Sequence, residues 1–450
     1  MFSTDTQPLV YHELFVPETK DPQSLLQNLL DIGLFSSYML YEGDGQTRIA
    51  GNTLASIAVS TDTVTLDYLG EIESRSLAEP LGTRIVGDPL QQVEKMLASL
   101  PIENWTAYGY VGFDMARFYS SYSKAIEQPL LYFSIPETEL QITDKGIRIK
   151  SVKSLTKIIE ALAIESPLRN YTATPPTLDF ADREDYQTKV SEMVEAIQAG
   201  HLHKAIIARS VKVKGQMDLL GTYRLGTESN NSARSYCFQF DDVSAVGFSP
   251  EILMTVDADR FAITNPLAGT RPRSENLERD EQLNRELFTD AKEVKEHALS
   301  IWLAQDEITS LCVPETVRVF DFMEVKQYRC VQHLSSRVGG ELQPDKTLWD
   351  ALKVLFPGIT VSGINKRSAL EWIDRLETEP RGLYAGGIGW IDSRGTADLA
   401  IAIRSAYQYG DTIHFNAGAG IVAESVPENE YVESVNKMNT MLTNLVLKSE

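Results

Sequence analysis

Cysteine is scarce. The 450 residues hold three, Cys237, Cys312 and Cys330, widely spaced and without a CxxC pair. That excludes a disulfide scaffold and a cysteine zinc site, and it fits a reducing, cytoplasmic environment. Long apolar runs are missing, so no segment reads as a membrane span. No Lys or Arg precedes Lys20, so there is no basic start of a signal or transit peptide. Internal repeats and low-complexity tracts are absent, as are GxSxG, HExxH and GxxxxGK[ST], which removes the common hydrolase, zincin and P-loop readings. Positive charge is in deficit: 42 Lys+Arg against 63 Asp+Glu leave a net −21. Such a chain repels nucleic acid and anionic membrane, and neither is an expected partner. The surplus of carboxylates suits cation binding and solubility.

What remains is an ordinary globular composition, 43% hydrophobic and 23% charged. One stretch reads as a linker, Ser166 to Phe180, where Pro175-Pro176 can continue neither a helix nor a central strand. It separates a sheet-forming region, 1–180, from a second region, 181–450, with the first expected to merge into the same fold. Before the linker, alternating segments such as 63–69 and 147–152 predict antiparallel strands. After it, Asp182 is placed to cap a helix carrying Tyr186, Val190, Met193, Val194 and Ile197, which Gly200 ends. Strands are expected at 205–213, 236–240, 251–256, 260–264, 384–391, 397–407 and 412–420. One long helix is expected from Arg279 to Ile308, with Leu283, Leu287, Ala291, Val294, Ala298 and Ile301 on a stripe, and a last helix from 428 to 447. Strands come in groups without regular βαβ alternation. The expected fold is therefore α+β, an α/β sandwich of large, mostly antiparallel sheets flanked by helices.

Several constellations bear on chemistry. Glu293 and Glu296 in KEVKEH stand at i, i+3 and share a helix face. Glu430 and Glu433 repeat that spacing on the last helix, with Lys437 four residues on. A solvated helix surface accounts for either pair alone; the functional alternative is that the two pairs meet around a hard cation such as Mg²⁺. AGAGIV, 417–422, with Ala423 fits a loose dinucleotide fingerprint, but too little chain follows for a Rossmann half. Its glycines read better as letting backbone N–H groups approach an anion ahead of a helix N-terminus, beside the alternative of a plain turn. PLAGTR, 266–271, can present Gly269 N–H and Thr270 Oγ to a carboxylate, or be simply a turn. Lys204 and Glu251 each open a strand, where solvation is the usual fate. His201 and His203 lack a third metal ligand, and His333 alone reads as a core histidine.

Together these pieces resemble the chorismate-utilising enzymes, a family that includes anthranilate synthase component I, aminodeoxychorismate synthase component I, isochorismate synthase and salicylate synthase. The matching stretches run in order: SPE at 249–251, PLAGTR, KEVKEH at 292–297, VQHL at 331–334, FPGITVSG at 356–363, PRGLYAG at 380–386, AIRSAY at 402–407, AGAGIV, and ESVPENEYVESVNK at 424–437. The first 180 residues match loosely, through YMLYEGDG and AYGYVGFD. The resemblance implies a chorismate-binding catalytic region at 181–450. It implies Mg²⁺ held directly by Glu296 and Glu433 and through water by Glu293 and Glu430. It places Lys204 as the general base that activates water and Glu251 as the general acid. Those roles require a lysine below its usual pKa and a glutamate above it. Gly269, Thr270, His333, Thr360, Tyr384, Arg404, Gly418, Gly420 and Lys437 are the implied substrate contacts. A lysine at 204 points to water rather than ammonia as nucleophile, so no glutaminase subunit is expected and the chain is expected to act as a monomer. TVSG and the YMLYEGDG start look most like salicylate synthase, with isochorismate synthase and the component I enzymes as alternatives. Asn265 and Asn365 depart from the pattern, where Glu and Pro are common, and both are expected to border the site.

Overall fold

The computed structural model describes residues 9–77, 87–176, 181–230, 232–328 and 331–448, apart from the side chains of Thr270 and Lys292. Cys330 and the last residues of the expected linker lie outside them. The described strands join into one hydrogen-bonded network whose strand-to-strand pairings are antiparallel. The regions before and after the linker share it. Tyr38–Gly43 pairs with Arg234–Phe240, and Thr106–Val111 pairs with Gly387–Asp392. The alternating Val, Ile, Phe and Tyr of these strands fill two apolar cores. No described helix is long and apolar enough to cross a membrane.

Three elements position the site. Lys204–Lys214 runs antiparallel to Thr412–Ile421 along one edge and on the other meets the short strand Gly363–Ile364. Helix Pro427–Leu442 packs on Thr412–Ile421 and on helix Arg183–Gln198. Helix Ala291–Leu311 packs on strands Leu267–Pro272 and Val331–Glu341.

Several sequence expectations change. The helix expected at 279–308 is two, Leu277–Thr289 and Ala291–Leu311. Asp290 between them is extended (φ −73°, ψ 110°), and its carboxylate accepts the N–H of Glu293, 3.2 Å, capping the second helix. The break rotates the buried stripe, which passes through His297, Ser300, Ile301, Ala304 and Ile308 instead of Ala291 and Ala298. The strand expected at 397–407 divides into Ala397–Ile401 and Ser405–Tyr409, because Arg404 takes a left-handed φ of 51°. The 384–391 strand starts only at Gly387. Asp182 occupies the N-cap position of its helix, but its carboxylate is committed to Arg209 and makes no cap bond. The last helix ends at Leu442. Gly418 and Gly420 lie inside a strand that runs to Ile421, with five residues before the helix that begins at Pro427, so no helix directly follows them.

Candidate active site

Where the strands Lys204–Lys214 and Thr412–Ile421 face the two glutamate-bearing helices, a cavity of about 310 Å³ opens. Lys204, Glu251, Gly269, Glu293, Glu296, His333, Thr360, Tyr384, Arg404, Gly418, Gly420, Glu430, Glu433 and Lys437 all line it. Thr270 is the one expected contact whose side chain lies outside the described residues.

Lys204 begins its strand and is 4% exposed. Its stem lies under Gly420, where a Cβ would fall 2.9 Å from Lys204 Cε. Its Nζ forms an ion pair with Glu296 Oε1. Glu251 sits in the short break between Val243–Ser249 and Ile252–Val256. Ser249 Oγ accepts its N–H at 3.2 Å, Ile401 N–H donates to its carbonyl at 3.0 Å, and the Thr360 hydroxyl donates to its Oε2. Burial pushes the Glu251 carboxyl up to about 7, against the Thr360 bond and the charges of Lys204, Lys437 and Arg404.

On the opposite wall, Gly269 has a left-handed φ of 67°, and a Cβ there would meet Leu287 Cδ1 at 2.8 Å and Glu293 Oε2 at 3.0 Å. Its carbonyl accepts from His333 Nδ1 at 2.9 Å. Burial, with Arg404 and Lys437 nearby, lowers His333 to about 4, so the ring is neutral at pH 7. The Tyr384 phenol is pushed up to about 12, chiefly by burial, and is un-ionised at that pH.

The two strand glycines are oriented by the register. Gly420 opposes Ile206 and Gly418 opposes Ala208. Ile206 N–H bonds Ser362 O (3.0 Å) and Ala208 N–H bonds Glu377 Oε1 (2.8 Å), both on the far edge from Thr412–Ile421. The opposed glycines therefore occupy non-hydrogen-bonded positions, and their own N–H and C=O groups point away from Lys204–Lys214. The neighbour on that side, Ser405–Tyr409, pairs only as far as Phe415, so these groups turn to the cavity. Gly418 O accepts from Lys437 Nζ at 2.9 Å.

The carboxylates are oxygen donors of the kind a hard cation takes. Each of three has a basic neighbour: Glu296 has Lys204, Glu293 has Arg271 at 3.1 Å, and Glu433 has Lys437 at 2.6 Å. Among the described residues no three His, Cys, Asp or Glu side chains converge at metal-ligating spacing. The donor set fits Mg²⁺ in type and lines one cavity, without converging on a single point. To hold it, Glu296 and Glu433 would have to release Lys204 and Lys437.

Arg271, which no spacing rule singles out, also lines the cavity and bridges Glu293 and Asp290 (2.8 Å). It stands inside PLAGTR, so its motif was in view and its partners were not. Val361, Ile403 and Asn416 also line the cavity without a type or spacing that marks them. Asn265 does not line it. Its amide is buried behind Thr360 and donates to Ser335 Oγ (3.1 Å) and Ser336 O (2.7 Å). Asn365 precedes helix Lys366–Leu376 with a φ of 55°, which proline cannot adopt and asparagine tolerates. It too lies off the cavity lining.

The family model described as chorismate binding enzyme matches residues 38–443. The chain belongs to this family. As a chorismate-binding enzyme it is 31% identical over 416 residues to the salicylate synthase of Mycolicibacterium paratuberculosis, covering 91% of this chain and 90% of that one. An anthranilate synthase component 1 of Haloarcula marismortui is 41% identical over 267 residues, which span 58% of this chain and 50% of the relative. Among solved structures, anthranilate synthase component I from Streptococcus pneumoniae superposes with a TM-score of 0.76 at 28% identity, covering 89% of this chain and 92% of that one. The menaquinone-specific isochorismate synthase from Escherichia coli shares the fold at a TM-score of 0.74 and 20% identity, covering 98% and 96%. The mixed α+β architecture with its large antiparallel sheet is thus the fold of chorismate-utilising enzymes.

Proposed function

We propose that this chorismate-utilising enzyme is a salicylate synthase, converting chorismate to salicylate and pyruvate through isochorismate. The observation that carries the reading is the pairing of a buried lysine and a glutamate near neutral pKa in one cavity: Lys204 under Gly420 and Glu251 under Thr360. The full-length similarity to a salicylate synthase supports it.

In this proposal Lys204, as the free amine, takes a proton from water as the water oxygen bonds to C2 of chorismate. Both ring double bonds shift, from C1=C2 to C1=C6 and from C5=C6 to C4=C5, the C4–O bond breaks, and Glu251 donates a proton so that the hydroxyl leaves as water. A carboxyl near 7 retains a proton at neutral pH, as a general acid requires. Arg404 with Tyr384, Lys437 and the N–H groups of Gly418 and Gly420 would bind the enolpyruvyl carboxylate. Gly269, Thr270 and His333 would border the ring and its carboxylate. Glu296 and Glu433, with Glu293 and Glu430 around them, would hold Mg²⁺, which supplies positive charge to offset the glutamates and the ring carboxylate. From isochorismate, the C2 hydrogen passes to the enolpyruvyl methylene as the C3–O bond breaks, releasing pyruvate and leaving an aromatic ring. This second step asks for a folded substrate geometry and no further base.

A component I role with ammonia has one observation in its favour, the 41% identity to an anthranilate synthase over part of the chain. Lys204 in the cavity stands against it. In the proposed reading the enzyme works in the cytoplasm as a monomer without a glutaminase. Product analysis after incubation with chorismate and Mg²⁺ tests it: salicylate with equimolar pyruvate supports it, and isochorismate alone restricts the enzyme to the first step.

A further inference from the structure

The strand that carries Lys204 loses its second neighbour early. Gly363–Ile364 pairs only with Ala205 and Lys204. The polar main-chain groups that follow on that edge are buried and need partners. Ser362 O takes the Ile206 N–H, and an ion pair supplies the partners of the next two groups. Arg381 Nη2 donates to Ile206 O at 2.7 Å, and Glu377 Oε1 accepts the N–H of Ala208 at 2.8 Å. Arg381 and Glu377 form a fork, Nε to Oε2 at 2.8 Å and Nη2 to Oε1 at 2.6 Å, with side chains 1% and 6% exposed. A side-chain pair therefore continues the sheet edge where a strand would otherwise run.

The same guanidinium reaches two more segments. Nη1 donates to Val361 O at 2.7 Å, one residue beyond the Thr360 that bonds Glu251. Its Cζ lies 4.3 Å from the Phe113 ring centroid and 5.8 Å from that of Tyr384, and Arg381 O accepts the N–H of Tyr384 at 3.2 Å. Asp114 anchors the turn through the N–H groups of Arg381 and Gly382, 3.2 Å each. Segments bearing Lys204, Thr360 and Tyr384 thus meet on one side chain, which itself does not line the catalytic cavity.

A buried ion pair is a poor device for stability, since its desolvation cost rivals its attraction. What a planar fork supplies is direction: it ties carbonyls of separate segments at fixed angles. We infer that the Glu377–Arg381 pair is a positioning device for the reaction, holding the base Lys204 in register with the acid Glu251 while touching neither substrate nor reacting atoms. This rests on the roles proposed for Lys204 and Glu251.

Arg381→Lys keeps the charge and removes the fork. With chorismate it lowers kcat by about 10- to 100-fold while KM changes by less than about threefold. It also moves the alkaline limb of kcat to higher pH, because a loosened Thr360 no longer favours the ionised Glu251. Glu377→Gln keeps an acceptor for Ala208 and shows the same pattern more weakly; it decides the question by the same readouts if Arg381→Lys does not fold. Unchanged kcat in a folded variant overturns the inference. So does a kcat that falls only in step with the folded fraction while the limb stays in place. A wild-type enzyme that leaves chorismate untouched overturns the functional reading and this inference with it, whereas a working wild type beside unaffected variants overturns the inference alone.

Discussion

Lys204 and Gly420 touch across paired strands, with only the glycine's missing Cβ leaving room for the lysine stem. Gly420→Ala would press on Lys204 Cε at 2.9 Å and Nζ at 3.5 Å, the far end of a flexible side chain. The side chain moves and the fold does not. The expected result is a fall in kcat/KM of about 10- to 100-fold with little change in Tm. Steady-state kinetics beside thermal unfolding check it, and wild-type kcat/KM would contradict it.

Lys204→Ala is expected to abolish hydration of chorismate and to spare the second step. Supplied isochorismate should still yield salicylate, because pyruvate loss calls on substrate geometry and not on this amine. Both rates can be followed by salicylate fluorescence. Chorismate turnover at the wild-type rate would remove Lys204 from its role.

Activity should fall as pH rises through about 7, where Glu251 gives up its proton. The sign follows from its role: the acid form does the work, and its population drops above the pKa. Thr360→Val removes a bond that favours the ionised form, so the pKa rises and the alkaline limb of kcat moves to higher pH. A pH–rate profile reads this directly. A limb that stays in place, or moves down, would contradict the assignment of Glu251.

Much of the cavity lining was legible in the sequence because it falls within motifs that resemble a known family. The carboxylates at i, i+3 on two helices stand out by spacing but read alone as solvated surface; Lys204, Glu251 and the strand glycines are marked only by the motifs shared with chorismate-utilising enzymes. The breaks that aim those groups are not. Leu287 and Val294 continue a helical period straight through Asp290, so the kink shows only once its carboxylate caps the second helix. The alternation of IAIRSAY runs through Arg404, and its left-handed φ costs energy that local sequence gives no reason to spend. Tertiary structure imposes it, with Phe248 N–H held by Arg404 O at 3.0 Å. Arg381 and Glu377 are four apart and read locally as a surface pair; that they cap a sheet edge depends on strands far away in the chain.

Glu296→Gln and Glu433→Gln should raise the apparent Mg²⁺ requirement strongly, and Glu293→Gln and Glu430→Gln only modestly. Glutamine keeps the shape and removes the charge, so the comparison separates a carboxylate on the metal from one that acts through water. Activity titrated against Mg²⁺ reports it. Equal shifts in all four variants would contradict the division of roles, and no shift in any would remove the metal site.

Salicylate formation from chorismate is the central claim, and one incubation tests it most directly. The purified protein, with chorismate and Mg²⁺ and with or without ammonium, is followed by chromatography and salicylate fluorescence. The account predicts salicylate and pyruvate in equal amounts, independent of ammonium and lost when Mg²⁺ is chelated. Anthranilate appearing with ammonium, or chorismate left unchanged, would contradict it.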